Sequence, residues 1–249
     1  WITTRNEIYK YDPDKEILRI IKEYDYAQTL VGNNWNSINK DIDGNIWIAN
    51  NFRGILKFDG ISDEFEEINI AGRGRNRDGS SDILLTRSIV DNTGIFWFGS
   101  TTQGIMKYDA SNEPFLHYSY DESANNGLTA NGVFGLLESK VHPGKIFVGT
   151  RGGGLNVFDQ AKRNFDQIKF KVINDQFGGS VRGIAEDSDG SLWLGTWGDG
   201  LVHLNPNCRE VDRFTNDSSS FSSLSDDRVR VIQKDREGYY WIGTNAGLN

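Results

Sequence analysis

Arg182 and Arg230 each stand five residues before an aspartate, Asp187 and Asp235, inside two stretches of closely similar sequence. A guanidinium is a planar fork of donors that meets a carboxylate or a sulfate with paired hydrogen bonds. Asn36 and Thr86 fill the same position in earlier stretches, with Phe134 a looser match. Trp35 and Trp197 lie in loop-like sequence, where an indole face can stack on a sugar ring. Arg53, Gln103, Arg151 and Asn245 share with Trp197 the loop that follows a conspicuous aromatic strand. The candidate ligand contacts are therefore Trp35, Arg53, Gln103, Arg151, Arg182, Trp197 and Arg230. Any one of them alone also fits a solvated loop residue, so the reading rests on the set. The chemistry it offers is recognition of a polar or anionic small molecule, not bond making.

Catalytic and metal chemistry find less support. A glycosidase or lyase needs acids, or a His and a Tyr, converging on one site. Here the carboxylates fall mostly in turns and at repeated positions, and no pair stands apart. His117, His142 and His203 are far apart in sequence and show no metal-ligand spacing. The single Cys208 rules out an internal disulfide. It also rules out zinc sites built from four cysteines, or from two cysteines and two histidines. DIDGN from Asp41 and DSDGS from Asp187 resemble calcium loops but lack the bidentate Glu, and read as tight turns. DSDGSLW also departs from the sialidase S-x-D-x-G-x-x-W box, because its Asp and Gly are adjacent. RGGG from Arg151 lacks the Lys-Ser/Thr of a phosphate loop. The three arginines of Ala71–Gly79 read as a solvated or anion-contacting loop. No catalytic residue, metal or cofactor is expected.

Composition narrows the partners. Lys and Arg number 27 against 35 Asp and Glu, giving −8 and a pI near 5.0, which argues against nucleic acid or an anionic membrane surface. No run of 18 apolar residues is present, so no membrane contact is expected of this segment, and its opening residues are not expected to act as a targeting peptide. With 4 Pro and 28 Gly in 249 residues, tight turns should outnumber long helices.

The candidates sit on a repeat. DIDGNIWIANNFRGILKFD from Asp41 returns as VDNTGIFWFGSTTQGIMKYD from Val90 and VHPGKIFVGTRGGGLNVFD from Val141. It returns again as DSDGSLWLGTWGDGLVHLN from Asp187 and DREGYYWIGTNAGLN from Asp235, and its second half opens the chain as WITTRNEIYKYD. The anchors Trp1, Trp47, Trp97, Phe147, Trp193 and Trp241 are separated by 46, 50, 50, 46 and 48 residues. A glycine precedes each of the last five anchors (Gly44, Gly94, Gly144, Gly190, Gly238). Another follows (Gly54, Gly104, Gly154, Gly200, Gly247).

Each period reads as four short strands. Strand A precedes the turn, as in VRGIAED and VRVIQKD. Strand B carries the aromatic, and strand C (ILKFD, IMKYD, LNVFD, LVHLN) alternates apolar and polar residues. Strand D is a weaker aromatic segment such as FEEINI or FDQIKF. Four antiparallel strands every 40 to 50 residues describe a β-propeller blade, with the repeated aromatic as inter-blade core. The expected fold is all-β: a single propeller region over residues 1–249 with about five repeats of ~48 residues. The strand inventory reads as a fragment, or open arc, of a larger, seven-bladed ring. Its two bare blade faces would recruit further blades of the same protein or another chain by self-association.

The motif V-x-x-I-x-x-D-x-x-G-x-x-W-I-G-T-x-x-G-L closely resembles the two-component regulator propeller repeat. VRVIQKDREGYYWIGTNAGLN and VRGIAEDSDGSLWLGTWGDGL match it almost position by position, and SLSDDRV from Ser223 is similar to its usual approach to strand A. Ala49, Thr3 and Phe147 depart from it. The resemblance implies the periplasmic, extracytoplasmic input domain of a sensor, commonly a hybrid histidine kinase of Bacteroidetes-type bacteria that detects glycan fragments. On that reading the segment is non-catalytic and takes an oligosaccharide or another small anionic or neutral ligand. A protein-interaction scaffold, with Phe52 and Phe177 as exposed hydrophobes, is the alternative, followed by a propeller glycosidase or lyase. The long D–A loops place the site with the B–C loops at one end of the blades.

Overall fold

The computed structural model describes residues 1–3, 7–23, 37–50, 54–59, 64–68, 84–109, 116–120, 127–170, 179–220 and 222–249. Trp35, Asn36, Phe52, Arg53, Phe177 and the arginine-rich loop 71–79 lie outside them. Twenty-one strands and no helix occur among the described residues, so no helix there is long and apolar enough to cross a membrane. The chain falls into two compact units, Trp1–Thr102 with Met106–His117, and Gln103–Ile105 with Tyr118–Asn249.

The first unit holds a sheet of β1 (Ile2–Thr3), β2 (Glu7–Asp12) and β3 (Ile17–Glu23) and a sheet of β4 (Ser37–Lys40), β5 (Ile46–Asn50), β6 (Gly54–Asp59) and β7 (Glu64–Ile68). Most of a third follows: β8 (Leu85–Val90), β9 (Phe96–Ser100), β10 (Ile105–Tyr108) and β11 (Leu116–Tyr118). The second unit holds β12 (Val133–Glu138), β13 (Lys145–Thr150), β14 (Gly154–Asp159) and β15 (Asn164–Ile168) in one sheet. A second sheet contains β16 (Val181–Glu186), β17 (Leu192–Thr196), β18 (Leu201–Leu204) and β19 (Glu210–Phe214), and a last one contains β20 (Val229–Lys234) and β21 (Tyr240–Thr244). Strands within a sheet are neighbours in chain order and pair antiparallel, as the repeat predicts.

Alternation along each strand gives the sheets two apolar faces, and within each unit consecutive sheets bury them on one another. Trp47 and Ile55 pack with Phe96, Phe98 and Met106 of the next sheet. Phe147 and Leu155 pack with Leu192, Leu194, Val202 and Leu204. Trp193 and Leu201 pack with Tyr240, Ile232 and Ile242. The repeated aromatic is thus inter-blade core, and the Trp47 and Phe96 ring centroids lie 4.5 Å apart.

Two further devices recur at the tryptophan anchors. The turn aspartate accepts the indole N–H six residues on: Asp41 from Trp47 at 2.8 Å, Asp91 from Trp97 at 2.8 Å, Asp187 from Trp193 at 3.0 Å and Asp235 from Trp241 at 2.9 Å. Where the anchor is Phe147, which has no N–H, the turn carries Ser139, whose hydroxyl instead bonds Glu186 at 2.6 Å. A strand-C side chain covers the outer ring face. Lys10, Lys57 and Lys107 place Nζ 5.8, 5.4 and 5.9 Å from the Trp1, Trp47 and Trp97 centroids, and His203 stacks on Trp193 at 4.2 Å.

The glycine of strand B is explained by close approach. A Cβ on Gly195 would lie 2.6 Å from Val229 Cγ1 of the next sheet.

Candidate functional site

The first strands of the second unit share one irregularity. In β12 and β13, Val133 pairs with Thr150 and Gly135 with Gly149, which makes Phe134 the extra residue of a bulge. In β16 and β17, Val181 pairs with Thr196 and Gly183 with Gly195, with Arg182 as the extra residue. In β20 and β21, Val229 pairs with Thr244 and Val231 with Gly243, with Arg230 in that place. A β-bulge of this kind re-aims the extra side chain. Because β12, β16 and β20 pack side by side, three re-aimed side chains come from adjacent strands.

Past each bulge the ladder resumes through the first residue of the B–C loop. Arg151 N–H donates to Gly132 O at 2.7 Å, Trp197 N–H to Ser180 O at 2.9 Å, and Asn245 N–H to Arg228 O at 3.1 Å. The B–C and D–A loops of this unit therefore meet at one end of the blades, as expected. Gly198 and Gly200 N–H both donate to Asp227 O, at 3.1 and 3.0 Å, and Asp227 Oδ1 accepts Asn216 N–H at 2.6 Å. Gly200 has φ +72°, and a Cβ there would lie 2.1 Å from Phe214 O, so only glycine fits this corner.

The bulge and loop side chains form a column of alternating rings and cations. Arg182 Cζ lies 4.4 Å from the Phe134 centroid and 3.8 Å from the Trp197 centroid. Arg230 Cζ lies 5.0 Å from the same indole, and its Nε donates to Asn245 Oδ1. Each cation–π contact contributes about 0.5–1 kcal/mol when exposed and ~2 when desolvated. Beside the column, Asp226 accepts two bonds from the Arg228 guanidinium, at 2.9 and 2.6 Å, and a third from its backbone N–H at 2.7 Å. The Arg228 bond first, offset in part by burial, and then the charges of Arg228 and Arg230 hold the Asp226 carboxyl below its ordinary value. Asp226 therefore sets an ionised carboxylate beside the column.

Three candidates, Arg182, Trp197 and Arg230, come together in this column. Arg151 is exposed at the position that corresponds to Trp197, and Gln103 lies half-buried in the loop after β9. Trp35 and Arg53 lie outside the described residues. Phe134, only a looser match by sequence, occupies the same bulge as the two arginines. Its turn carries Ser139 where the others carry Asp, so the usual marker for counting back is missing. The Asp226–Arg228 pair carried no signal in the sequence. A cleft of about 550 Å³ between the last two sheets is floored by Trp193, Leu201, Ile232, Tyr240 and Ile242. It is inter-blade core, and none of the candidate contacts lines it.

Successive four-stranded antiparallel sheets, packed face to face with their first strands side by side, define a β-propeller. Two stretches, residues 175–198 and 223–246, match the family described as "Two component regulator propeller". The chain is 25% identical to Histidine kinase P4 of Formosa agariphila over 161 residues, 62% of this chain and 11% of the kinase. It superposes on the extracellular domain of a hybrid two component system from B. thetaiotaomicron with TM-score 0.67 and 25% identity. That match covers 88% of this chain and 28% of the other. It also superposes on PorZ, a surface component of the type-IX secretion system of Porphyromonas gingivalis, with TM-score 0.66 over 92% of this chain and 34% of PorZ. At 17% identity the second likeness speaks to the fold alone. The chain spans about a tenth of the kinase and about a third or less of each solved chain.

Proposed function

We propose that this propeller is the non-catalytic, ligand-sensing input region of an extracytoplasmic two-component signalling protein, and that it recognises an anionic oligosaccharide. The observation that carries the reading is the column of Arg182, Trp197 and Arg230, built on the first-strand bulges of a two-component regulator propeller repeat. Arg182 and Arg230 supply guanidinium donors to a carboxylate or sulfate, and the rings beside them fix the direction of those donors. Trp197 gives up ring surface to Arg182, so its part is to orient the cation more than to stack on a sugar. Ligand binding would shift the equilibrium of a signalling protein only through a difference in affinity between its states. The kinase relative and the likeness to an extracellular sensor domain support the placing of that output across a membrane, in a histidine kinase.

A thermal-shift screen tests the reading. Uronic-acid-containing and sulfated disaccharides are set against neutral gluco- and xylo-oligosaccharides. Binding to the folded state alone stabilises by about 2.7 kcal/mol at a hundredfold excess over Kd. A shift confined to acidic sugars and lost in Arg182→Ala and Arg230→Ala is the expected result. No shift with any sugar, or one indifferent to both arginines, overturns it.

A further inference from the structure

We infer that the RGGG loop, residues 151–154, holds Arg151 as a second anion contact beside the guanidinium column, and that the ligand is therefore an oligosaccharide with at least two acidic groups. This narrows the ligand class of the site proposed above and rests on the column being an acidic-sugar site.

The loop is built to present one side chain. Gly152 and Gly154 have φ +78° and +72°, in the left-handed region that favours glycine. A Cβ on Gly153, between them, would lie 2.4 Å from Thr129 Oγ1 and 2.6 Å from Thr150 Oγ1. Neighbours on three sides fix the backbone. Arg151 N–H donates to Gly132 O at 2.7 Å, Gly152 N–H to Ser180 Oγ at 3.0 Å, and Gly153 O accepts the Thr129 hydroxyl at 2.7 Å. Thr129 Oγ1 in turn accepts Asn156 Nδ2 at 2.8 Å, and Asn156 is fully buried. With its first two amides taken in this way, the loop does not cradle an anion through them as a backbone nest would. What it offers is the guanidinium of Arg151.

Ser180 ties this loop to the column. Its hydroxyl accepts Gly152 N–H, its carbonyl accepts Trp197 N–H at 2.9 Å, and it stands two residues before Arg182. Arg151 thus flanks the column at the same end of the adjacent blade. The arginines differ in their surroundings. Arg182 lies against the Phe134 and Trp197 rings, and Arg230 against Trp197 and Asn245. Arg151 is exposed, and among the described residues its guanidinium has no hydrogen-bond or ion-pair partner. Closing such a fork on a carboxylate or sulfate orders a side chain but no backbone, because the loop is already fixed. One acidic group on the column leaves Arg151 open; a second acidic group on the same ligand occupies it.

Calorimetric titration with two matched pairs of disaccharides tests the inference. Digalacturonate is set against its monomethyl ester, and the sulfated against the unsulfated chondroitin disaccharide, so that each pair differs by one negative charge. The native chain is expected to bind the more charged member about tenfold more tightly in at least one pair. Arg151→Gln should abolish that preference and leave the affinity for the less charged member unchanged, whereas Arg230→Ala should weaken both members. Lys140→Gln removes an exposed cation from the turn at the other end of the same blade and should keep the preference, which separates a contact from an effect of net charge. Equal affinities within both pairs, a preference that survives Arg151→Gln, or one lost equally in Lys140→Gln would overturn the inference while leaving the column as the site. Failure of the native chain to bind any of these sugars would overturn the column reading and this inference with it.

Discussion

The guanidinium carbon of Arg182 sits 3.8 Å from the centroid of the Trp197 ring. One side chain leaves a bulge in β16, and the other opens the loop after β17, where its N–H carries the ladder past that bulge. The contact therefore depends on one irregularity in the first strand, repeated in the neighbouring blade at Arg230.

If the column is a preformed anion site, Arg182 must be held by rings as well as by charge. Arg182→Lys keeps the charge but loses the flat face that lies on Trp197 and Phe134. It should lower stability by about 0.5–2 kcal/mol in urea unfolding. Acidic-sugar binding should fall nearly as far as in Arg182→Ala. Full binding by the lysine variant would show that charge alone suffices.

The indole–carboxylate bond should appear as coupling. Trp97 and Asp91 are both buried, at 1% and 3% exposure, so removing either partner strands the other. Trp97→Phe is expected to cost about 1–3 kcal/mol, beyond the loss of ring volume. The pair Trp97→Phe with Asp91→Ser copies the combination already present at Phe147 and Ser139. It should cost less than the sum of the single changes in a double-mutant cycle.

Asp187 sets an acid limit on stability. Burial raises its pKa, but hydrogen bonds from Lys234, Tyr240 and Trp193 and the charge of Lys234 outweigh that, and the carboxyl titrates at about 2. Unfolded, an aspartate titrates near ~3.9. The folded value is depressed, so the stabilisation is complete above about pH 4 and is lost as pH falls through about 2. Asp187→Asn should flatten the decline of Tm over that window and lower Tm at neutral pH. An unchanged acid slope would show that the three donors do not favour the ionised form.

Gly195 reports the tightness of blade packing. Gly195→Ala forces a Cβ to within 2.6 Å of Val229 Cγ1 and should destabilise by about 1–3 kcal/mol. Val229→Ala in the same chain opens the space and should recover part of the loss. Additive costs would place the strain elsewhere.

The blades were legible in the sequence because their markers are local and repeat together: the aromatic, the glycine of the turn before it, and the glycine at the corner after it. Gly200 answers to a close backbone approach that recurs at Gly104, and Gly195 to a packing demand that recurs at Gly149, while Ala49 and Thr3 stand at that position in the first copies. The bulges were not legible, because one extra residue in a short strand leaves the apolar alternation on either side intact. Counting back from Asp187 and Asp235 still found Arg182 and Arg230, since the bulge recurs at a constant distance from the turn. Phe134 was blurred where Ser139 replaced the aspartate. That Trp197 would lie under Arg182, and not stand open to a sugar, depends on the direction a bulge gives a side chain, which spacing does not encode.

Binding of an anionic sugar by the guanidinium column on the first-strand bulges should be visible in calorimetric titration. The native chain and Arg230→Ala are titrated with the acidic disaccharide that gives the largest thermal shift. Losing a charge-assisted pair of bonds costs about 1.5–3 kcal/mol, so Kd should weaken roughly ten- to a hundredfold while the fold stays intact. Equal affinity of the two proteins for that sugar would contradict the account.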